Sequence, residues 1–277
     1  MRPLDPEEIQ WHYSQPSRRG ELTDALHKGS AGGAACGDLV QVRLRVEGEK
    51  IVAGGFDSEG CEAMAACASA LLEESEGMHI LEAGKISPEA ISSLLGGLAP
   101  GKFHAAELVA DAFHQALGLA VFENGACEGD EGLVLVAMSG GVDSSVVAQI
   151  MTKRFPRLAG VTVELWRDED NHAESSCCSY SAVRRARMQA HRLGMAHFTL
   201  PLIDEFRQGV VEPYIQGHAQ GITPNPCVAC NGDVRLDAML GFADCIGAKG
   251  LATGHYARLQ QDEKGMLVAR GLDTPKD

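Results

Sequence analysis

The sequence lacks a long apolar run, an apolar leader and a surplus of basic charge. A membrane-spanning helix needs about 18 consecutive apolar residues, and no stretch reaches that length. Residues 1–20 are polar and charged, unlike a secretory signal, so we expect a cytoplasmic protein without membrane contact. In that compartment the nine cysteines are expected to be ligands, redox groups or core residues rather than a disulfide framework.

The net charge of −14 is concentrated in the first half of the chain. Residues 1–131 hold 9 Lys and Arg against 22 Asp and Glu, whereas residues 132–277 hold 15 against 16. Neither half has the basic excess of a typical nucleic-acid-binding domain. The best local candidates for RNA contact are Arg184 and Arg185, on a predicted helix rich in arginine. A solvated helix face would give the same pattern.

A length of 277 residues allows two domains, each with its own core. The acidic, glycine-containing run at 122–132 has neither helical nor strand periodicity and predicts a linker. The predicted domains are therefore residues 1–121 and residues 133–277.

The first half predicts strands followed by helices, which is an α+β unit. Apolar residues alternate over Leu39–Val46, and Ile51–Phe56 follows a short turn as a hairpin partner. Helices are predicted at 61–76, 87–95 and 103–117.

The second half predicts an α/β doubly wound parallel sheet. Leu133–Met138 is continuously apolar, which is typical of a parallel strand buried on both faces. Strands and helices then alternate, and ligands in such sheets bind at the carboxyl ends of the strands. Further strands are predicted at 160–166, 197–200 and 250–253, and helices at 144–154, 181–193, 205–217 and 234–246.

A glycine-containing loop, Ser139-Gly140-Gly141-Val142-Asp143-Ser144-Ser145, directly follows the first of these strands. The glycines allow a tight turn, and the next residues open a helix whose free N–H groups would face an anion. The loop lacks the lysine of a Walker motif and the Gly-x-Gly-x-x-Gly pattern. It resembles the PP-loop of the ATP pyrophosphatase superfamily.

A second informative segment is Thr223–Asn231, where two prolines lead into Cys227-Val228-Ala229-Cys230. The prolines exclude a helix before the cysteines. Cysteines at this spacing can share a metal, form a redox pair or include one reactive thiolate.

Together these segments resemble the tRNA-specific 2-thiouridylase family (MnmA/TrmU type) over residues 133–277. The resemblance also rests on Gly160–Trp166, Cys177-Cys178-Ser179, Val211-Glu212-Pro213, Ala252–Arg258, Arg270–Asp273 and Lys276-Asp277. It implies that ATP, with Mg²⁺, adenylates the C2 oxygen of a tRNA wobble uridine, and that a cysteine persulfide then delivers sulfur. The implied partners are that tRNA and a cysteine desulfurase or sulfur-relay donor. The implied ATP-binding residues are Ser139, Gly140, Gly141, Val142, Asp143, Ser144, Ser145, Val163, Gly254 and His255, and the implied catalytic residues are Cys227 and Cys230.

The sequence departs from that family at three points. Many relatives carry a catalytic acid/base Asp where Cys227 stands, so the resemblance assigns no acid/base residue here. Some sulfur-transferring PP-loop enzymes hold an iron–sulfur cluster on a Cys-x-x-Cys pair and one distant cysteine, so Cys227 and Cys230 are alternatively iron–sulfur ligands, with Cys177 or Cys178 as a third sulfur. The family's basic-aromatic continuation after Asn231 is here Gly232-Asp233-Val234-Arg235-Leu236, which is expected to weaken RNA contact. The chain also stops at Asp277, within a family motif and before the family's second cysteine and RNA-binding barrel, so we expect a fragment.

The first half resembles the NifU/IscU-type iron–sulfur scaffold over residues 8–120. The resemblance rests on Ala35–Asp38, Glu59–Glu62 and Lys102–Ala105. It implies that Cys36, Asp38, Cys61 and His104 hold a labile iron–sulfur cluster or Zn²⁺, although Ala105 stands where the family has its third cysteine. A degenerate structural module is the alternative.

Two other functions remain open from the sequence. A PP-loop ligase or amidotransferase would adenylate a small carboxylate and would not need the Cys-x-x-Cys pair. A non-catalytic iron–sulfur carrier would retain the PP-loop half only as a vestige.

Overall fold

The computed structural model describes residues 3–23, 25, 27–32, 37–129, 132–166, 180–263 and 265–272. The first helix, α1 (Pro6–Ser14), is capped by Asp5, whose side chain accepts hydrogen bonds from two backbone N–H groups while the Glu8 carboxylate accepts one from the Asp5 N–H. Three antiparallel strands follow in the order β1 (Lys28–Gly32), β2 (Leu39–Glu47) and β3 (Lys50–Glu59). The predicted hairpin of β2 and β3 is confirmed. The sequence analysis did not predict α1 or the third strand, β1.

Helices pack against this sheet and complete the α+β unit. They are α2 (Glu62–Ser75), α3 (Ile80–Ala83), α4 (Pro88–Leu94) and α5 (Phe103–Asn124), the last entered through a 3-10 turn at Pro100–Lys102. Together with the turn before it, α5 is long and apolar enough to cross a membrane, but 78% of its most apolar window is buried inside the protein. It is a core helix.

The second unit is built on a parallel sheet of strand order β6-β5-β4-β7, which confirms the predicted fold class. The strands are β4 (Leu133–Ala137), β5 (Arg157–Glu164), β6 (Ala196–Pro201) and β7 (Leu251–Ala252). The helices are α6 (Val142–Met151), α7 (Tyr180–Arg192), α8 (Ile203–Phe206), α9 (Glu212–Ala219), α10 (Pro226–Ala229) and α11 (Asp237–Cys245). Arg207–Val211 and Cys230–Leu236 form π-helical segments, and β8 (Arg258–Asp262) pairs with β9 (Gly265–Ala269) in a hairpin.

Helix α5 joins the two units into one continuous core. It extends seven residues past the predicted end at Leu117 and into the first residues of the predicted linker 122–132. Its carboxyl half packs on β6, where a Cβ on Gly118 would lie 2.0 Å from the Thr199 carbonyl oxygen. Phe122 reaches Phe242 of α11 at a ring-centroid distance of 6.2 Å. The helix therefore covers one face of the parallel sheet.

We expect Gly118→Ala to destabilise the protein by about 1–3 kcal/mol, because the added methyl meets backbone that cannot rotate away. Gly232→Ala is the matched control, since no atom of the described residues lies within 4 Å of a Cβ added to that helical glycine. It should be neutral or stabilising by about 0.5–1 kcal/mol. Urea unfolding measures both, and equal effects would contradict the close approach of α5 to β6.

A buried polar cluster lies between α5 and the second unit. The Asp111 carboxylate is 2% exposed and forms ion pairs with Arg184, at 2.7 Å, and with the buried Arg187 of α7. One turn further along α5, His114 contacts the carbonyl oxygens of Ile86 at 2.8 Å and His197 at 3.1 Å. These ion pairs and hydrogen bonds connect the first unit to α7 and β6.

Three histidines of this interface should make stability depend on pH. Burial lowers the pKa of His191 to about 4, with Arg187 adding to the effect, and burial holds the pKa values of His114 and His197 well below 6.5. Below pH 6.5 the unfolded chain binds protons that the folded chain does not. The free energy of unfolding therefore has its full value above pH 6.5. It falls by about 1.4 kcal/mol per pH unit for each histidine as the pH drops towards 4.

Urea unfolding between pH 7.5 and pH 5 measures this dependence. His191→Gln should remove one histidine's share of the slope. A pH-independent unfolding midpoint over this range would contradict the prediction.

Candidate nucleotide-binding site

The loop after β4 turns directly into α6, whose N-cap is Gly141. No side chain caps this helix at its N-cap, so backbone N–H groups of its first turn point towards the loop. The hydroxyls of Ser144 and Ser145 donate instead to the Gly141 carbonyl, at 3.2 and 2.8 Å, and Ser144 also accepts from the Ser139 N–H at 3.2 Å. These bonds fix the loop while leaving the helix terminus open for an anion.

Gly140 allows the loop to close against α7. Its φ is +71°, in the left-handed region, and an added Cβ would lie 2.3 Å from the Ala182 carbonyl oxygen. Both observations require glycine at this position. The loop Ser139–Ser145, called the phosphate loop below after the PP-loop that it resembles, is therefore held against the first turn of α7.

A cavity of about 220 Å³ opens at the carboxyl ends of β4, β5 and β7. This is the edge at which doubly wound sheets bind ligands. Its lining residues are Ala137, Met138, Ser139, Asp143, Ser144, Val161, Thr162, Val163, Asn231, Arg235, Leu236, Met239, Thr253, Gly254 and His255. The phosphate loop forms one side, strand ends form the floor, and the segment after the cysteine pair contributes another side.

Six of the ten residues predicted to bind ATP line this cavity: Ser139, Asp143, Ser144, Val163, Gly254 and His255. The other four, Gly140, Gly141, Val142 and Ser145, form the loop and the first turn of α6 beside it. Val142 is 78% exposed. An added Cβ on Gly254 would lie 3.2 Å from the Ser144 nitrogen, so the two loops approach closely.

The side chain of Asp143 has a partner that the spacing of the sequence did not indicate. Tyr256 donates its hydroxyl to the Asp143 carboxylate at 2.8 Å, across 113 residues. Thr253 contacts the His255 ring at 2.7 Å. The Ala252–Arg258 segment therefore lines the cavity and is also hydrogen-bonded to the phosphate loop.

Thr162, in the floor of the cavity, is hydrogen-bonded to the buried side chain of His197. Thr162 donates to the Met138 carbonyl at 2.7 Å, so its oxygen accepts from His197 Nε2 at 2.8 Å. Among the described residues His197 Nδ1 has no hydrogen-bond partner, and it carries the lone pair of a neutral ring. The lowered pKa of His197 agrees with that neutral tautomer.

The cysteine pair lies at the start of a short helix rather than in the cavity wall. Asn225 caps α10 by accepting from the Cys227 N–H at 3.1 Å. Cys227 is exposed, and Cys230 is half-buried at the start of the π-helical segment. Neither side chain lines the cavity, but the residue after Cys230, Asn231, does. Cys177 and Cys178 lie outside the described residues.

Three of the four residues predicted as metal ligands in the first unit come together. Asp38 accepts from the Cys61 N–H at 2.9 Å and pairs with His104 Nε2 at 2.9 Å. Lys102 donates to Cys61 Sγ at 3.1 Å, and this bond raises the pKa of Lys102. Cys36 lies outside the described residues, and among those described no three His, Cys, Asp or Glu side chains are arranged to hold an ion. The fit to a metal therefore depends on Cys36.

The arginines predicted to contact RNA take different positions on α7. Arg184 is half-buried and pairs with Asp111 and, at 3.5 Å, with Glu107. Arg185 is exposed to solvent. A role in RNA contact stays a prediction, with Arg185 the more accessible of the two.

A parallel sheet of this strand order, with a phosphate loop after its first strand and a cavity at the strand ends, defines a nucleotide-binding α/β domain. The family model described as "tRNA methyl transferase HUP domain" matches residues 132–277, and the chain belongs to this family. The model described as "NifU-like N terminal domain" matches residues 5–123. The predicted resemblance of each half is confirmed.

Several curated proteins are similar to the chain. A "Bifunctional protein NifU/MnmA" of Rubrobacter xylanophilus is 41% identical over 278 residues, covering 96% of this chain and 56% of that protein. A "tRNA-specific 2-thiouridylase MnmA" of Clostridium kluyveri is 39% identical over 146 residues, covering 52% of this chain and 41% of that protein. The chain thus spans about half the length of the curated relatives that it matches.

Among solved structures, a "Nitrogen-fixing NifU-like protein (N-terminal)" from Brucella abortus overlaps 43% of this chain and 86% of its own. The sequence identity is 17% and the TM-score 0.27.

Proposed function

We propose that the protein takes part in ATP-dependent 2-thiolation of the wobble uridine of tRNA. The observation that carries this proposal is the shared cavity. One side is the phosphate loop at Ser139 and Ser144, and another is the π-helical segment that begins at Cys230. A nucleotide bound there would have its phosphates on α6 and its reactive end towards the sulfur-bearing segment. The similarity to curated proteins named as tRNA-specific 2-thiouridylases supports this interpretation of the cavity.

Adenylation is the physical reason for ATP in this reaction. The C2 oxygen of uridine is a poor leaving group, and transfer of AMP onto it creates a good one. The ten ATP-site residues would bind the nucleotide, with Mg²⁺ near Asp143 as an additional charge on the phosphates. Cys227 and Cys230 would then act in sulfur transfer, or alternatively hold an iron–sulfur cluster.

The first unit would supply sulfur or an iron–sulfur cluster to the second. Its match to the NifU-like family and the grouping of Asp38, Cys61 and His104 support this role. With Cys36 the set would have four donors, which suits a labile cluster or Zn²⁺. A cysteine desulfurase or relay protein in the cytoplasm would be the sulfur donor.

Exchange of pyrophosphate into ATP tests the proposal. Labelled pyrophosphate should enter ATP when tRNA bearing a wobble uridine is present, and not when that uridine is replaced by cytidine. Exchange stimulated by a small carboxylic acid instead would favour a ligase, and no exchange together with no ATP binding would favour an iron–sulfur carrier. Either result would overturn the proposal.

A further inference from the structure

Arg235 is the one lysine or arginine among the described residues that line the cavity. Arg235 and Asp143 are the charged residues of the Lys, Arg, Asp and Glu types in that lining. Arg235 is half-buried and comes from the π-helical segment, not from the phosphate loop.

A bound polyphosphate needs more positive charge than the loop can provide. The loop Ser139–Ser145 contains no lysine or arginine, and its one ionisable side chain is the acidic Asp143. The amino end of α6 contributes the equivalent of about half a positive charge. An anion in a partly enclosed site is costly unless it is paired, so a basic side chain from outside the loop would add to the charge that Mg²⁺ supplies.

The π-helical segment presents Arg235 to the cavity in a fixed way. A π-helix closes its hydrogen bonds over five residues, and such wide turns often occur at functional sites. Here Asn231, Arg235 and Leu236 all line the cavity, while Val234 between them is 7% exposed and anchors the segment in the core. The guanidinium of Arg235 therefore extends from a backbone segment that is anchored in the core.

We propose that Arg235 binds the phosphate chain of ATP and neutralises the departing pyrophosphate. This inference rests on the proposed function. In the reaction, the uridine C2 oxygen forms a bond to the α-phosphorus, and the bond from that phosphorus to the bridging oxygen breaks. The electron pair stays with pyrophosphate, and the guanidinium of Arg235 stabilises the charge that develops there.

Calorimetric titration of Arg235→Gln with ATP, pyrophosphate and AMP, each with Mg²⁺, tests the inference. Loss of a charge-assisted contact should weaken ATP and pyrophosphate binding by about 10–100-fold and change AMP binding by less than about twofold. The matched control is Arg207→Gln. Arg207 is an exposed arginine of the neighbouring π-helical segment that does not line the cavity, so the control should bind all three ligands like the wild type.

A chemical experiment on the wild-type protein tests the same inference even if the Arg235→Gln variant does not fold. ATP and pyrophosphate should protect Arg235 from phenylglyoxal, as read by peptide mass spectrometry, whereas AMP should not. Equal modification rates with and without ATP, or an Arg235→Gln variant that binds ATP as the wild type does, would overturn the inference alone. Wild-type protein that binds no ATP would instead overturn the proposed function.

Discussion

Replacing Gly140 by alanine is expected to weaken ATP binding by about 10–100-fold. The φ of +71° costs an alanine about 1–2 kcal/mol, and its methyl would lie 2.3 Å from the Ala182 carbonyl oxygen. The loop must therefore move, and the amides that face the phosphates move with it. Each 1.4 kcal/mol lost from binding is a tenfold change in Kd.

Gly194→Ala separates the backbone conformation from the contact. Gly194 has a φ of +72°, and no atom in the described part of the chain lies within 4 Å of an added Cβ. This control should lose about 1–2 kcal/mol of stability and bind ATP with unchanged affinity. Titration with ATP and urea unfolding measure the two effects. A Gly140→Ala variant with the wild-type Kd would show that the loop does not position the nucleotide.

The Asp111→Asn substitution is expected to destabilise the protein by about 3–5 kcal/mol. It removes the carboxylate from a buried pair and leaves the guanidinium of Arg187, which is 4% exposed, without its counter-charge. Arg184 loses its 2.7 Å partner at the same time. The loss should appear in both units, because Asp111 of α5 pairs with Arg184 and Arg187 of α7.

Glu107→Gln is the control on the same helix. Glu107 pairs with Arg184 at 3.5 Å and its side chain is 37% exposed, so its removal should cost less than about 1 kcal/mol. Urea unfolding, followed by tryptophan fluorescence and circular dichroism, measures both variants. Similar small effects for the two would mean that Asp111 does not hold the units together.

The structure connects the two candidate sites through two helices. His104 lies at the beginning of α5, and Asp111 lies two turns further along the same helix. Asp111 holds α7, and the Ala182 carbonyl of α7 contacts Gly140 in the phosphate loop. The first unit therefore supports the phosphate loop mechanically, in addition to any sulfur or cluster that it provides.

Patterns that depend on neighbouring residues were predicted correctly from the sequence. The apolar run Leu133–Met138 forms β4, and the loop Ser139–Ser145 enters a helix as expected. The period-2 alternation at Leu39–Val46 forms β2. Helix α1 and the hairpin β8–β9 were not predicted.

The carboxyl end of α5, the helix that contains Gly118, could not be predicted from the sequence. A glycine after Leu117 is a common helix terminator, and the predicted helix stopped there. In the fold that glycine lies inside α5, because the Thr199 backbone approaches too closely for any side chain. The predicted domain division at residues 122–132 stays a prediction, although α5 contributes to both cores.

The sequence alone determined the parallel sheet and the position of the phosphate loop, because each depends on residues adjacent in the chain. The tertiary structure decided which distant groups meet: Tyr256 with Asp143, Asp111 with Arg187, and Arg235 with the phosphate loop across one cavity. Such pairings follow from how helices cross a sheet, and no local pattern records that geometry.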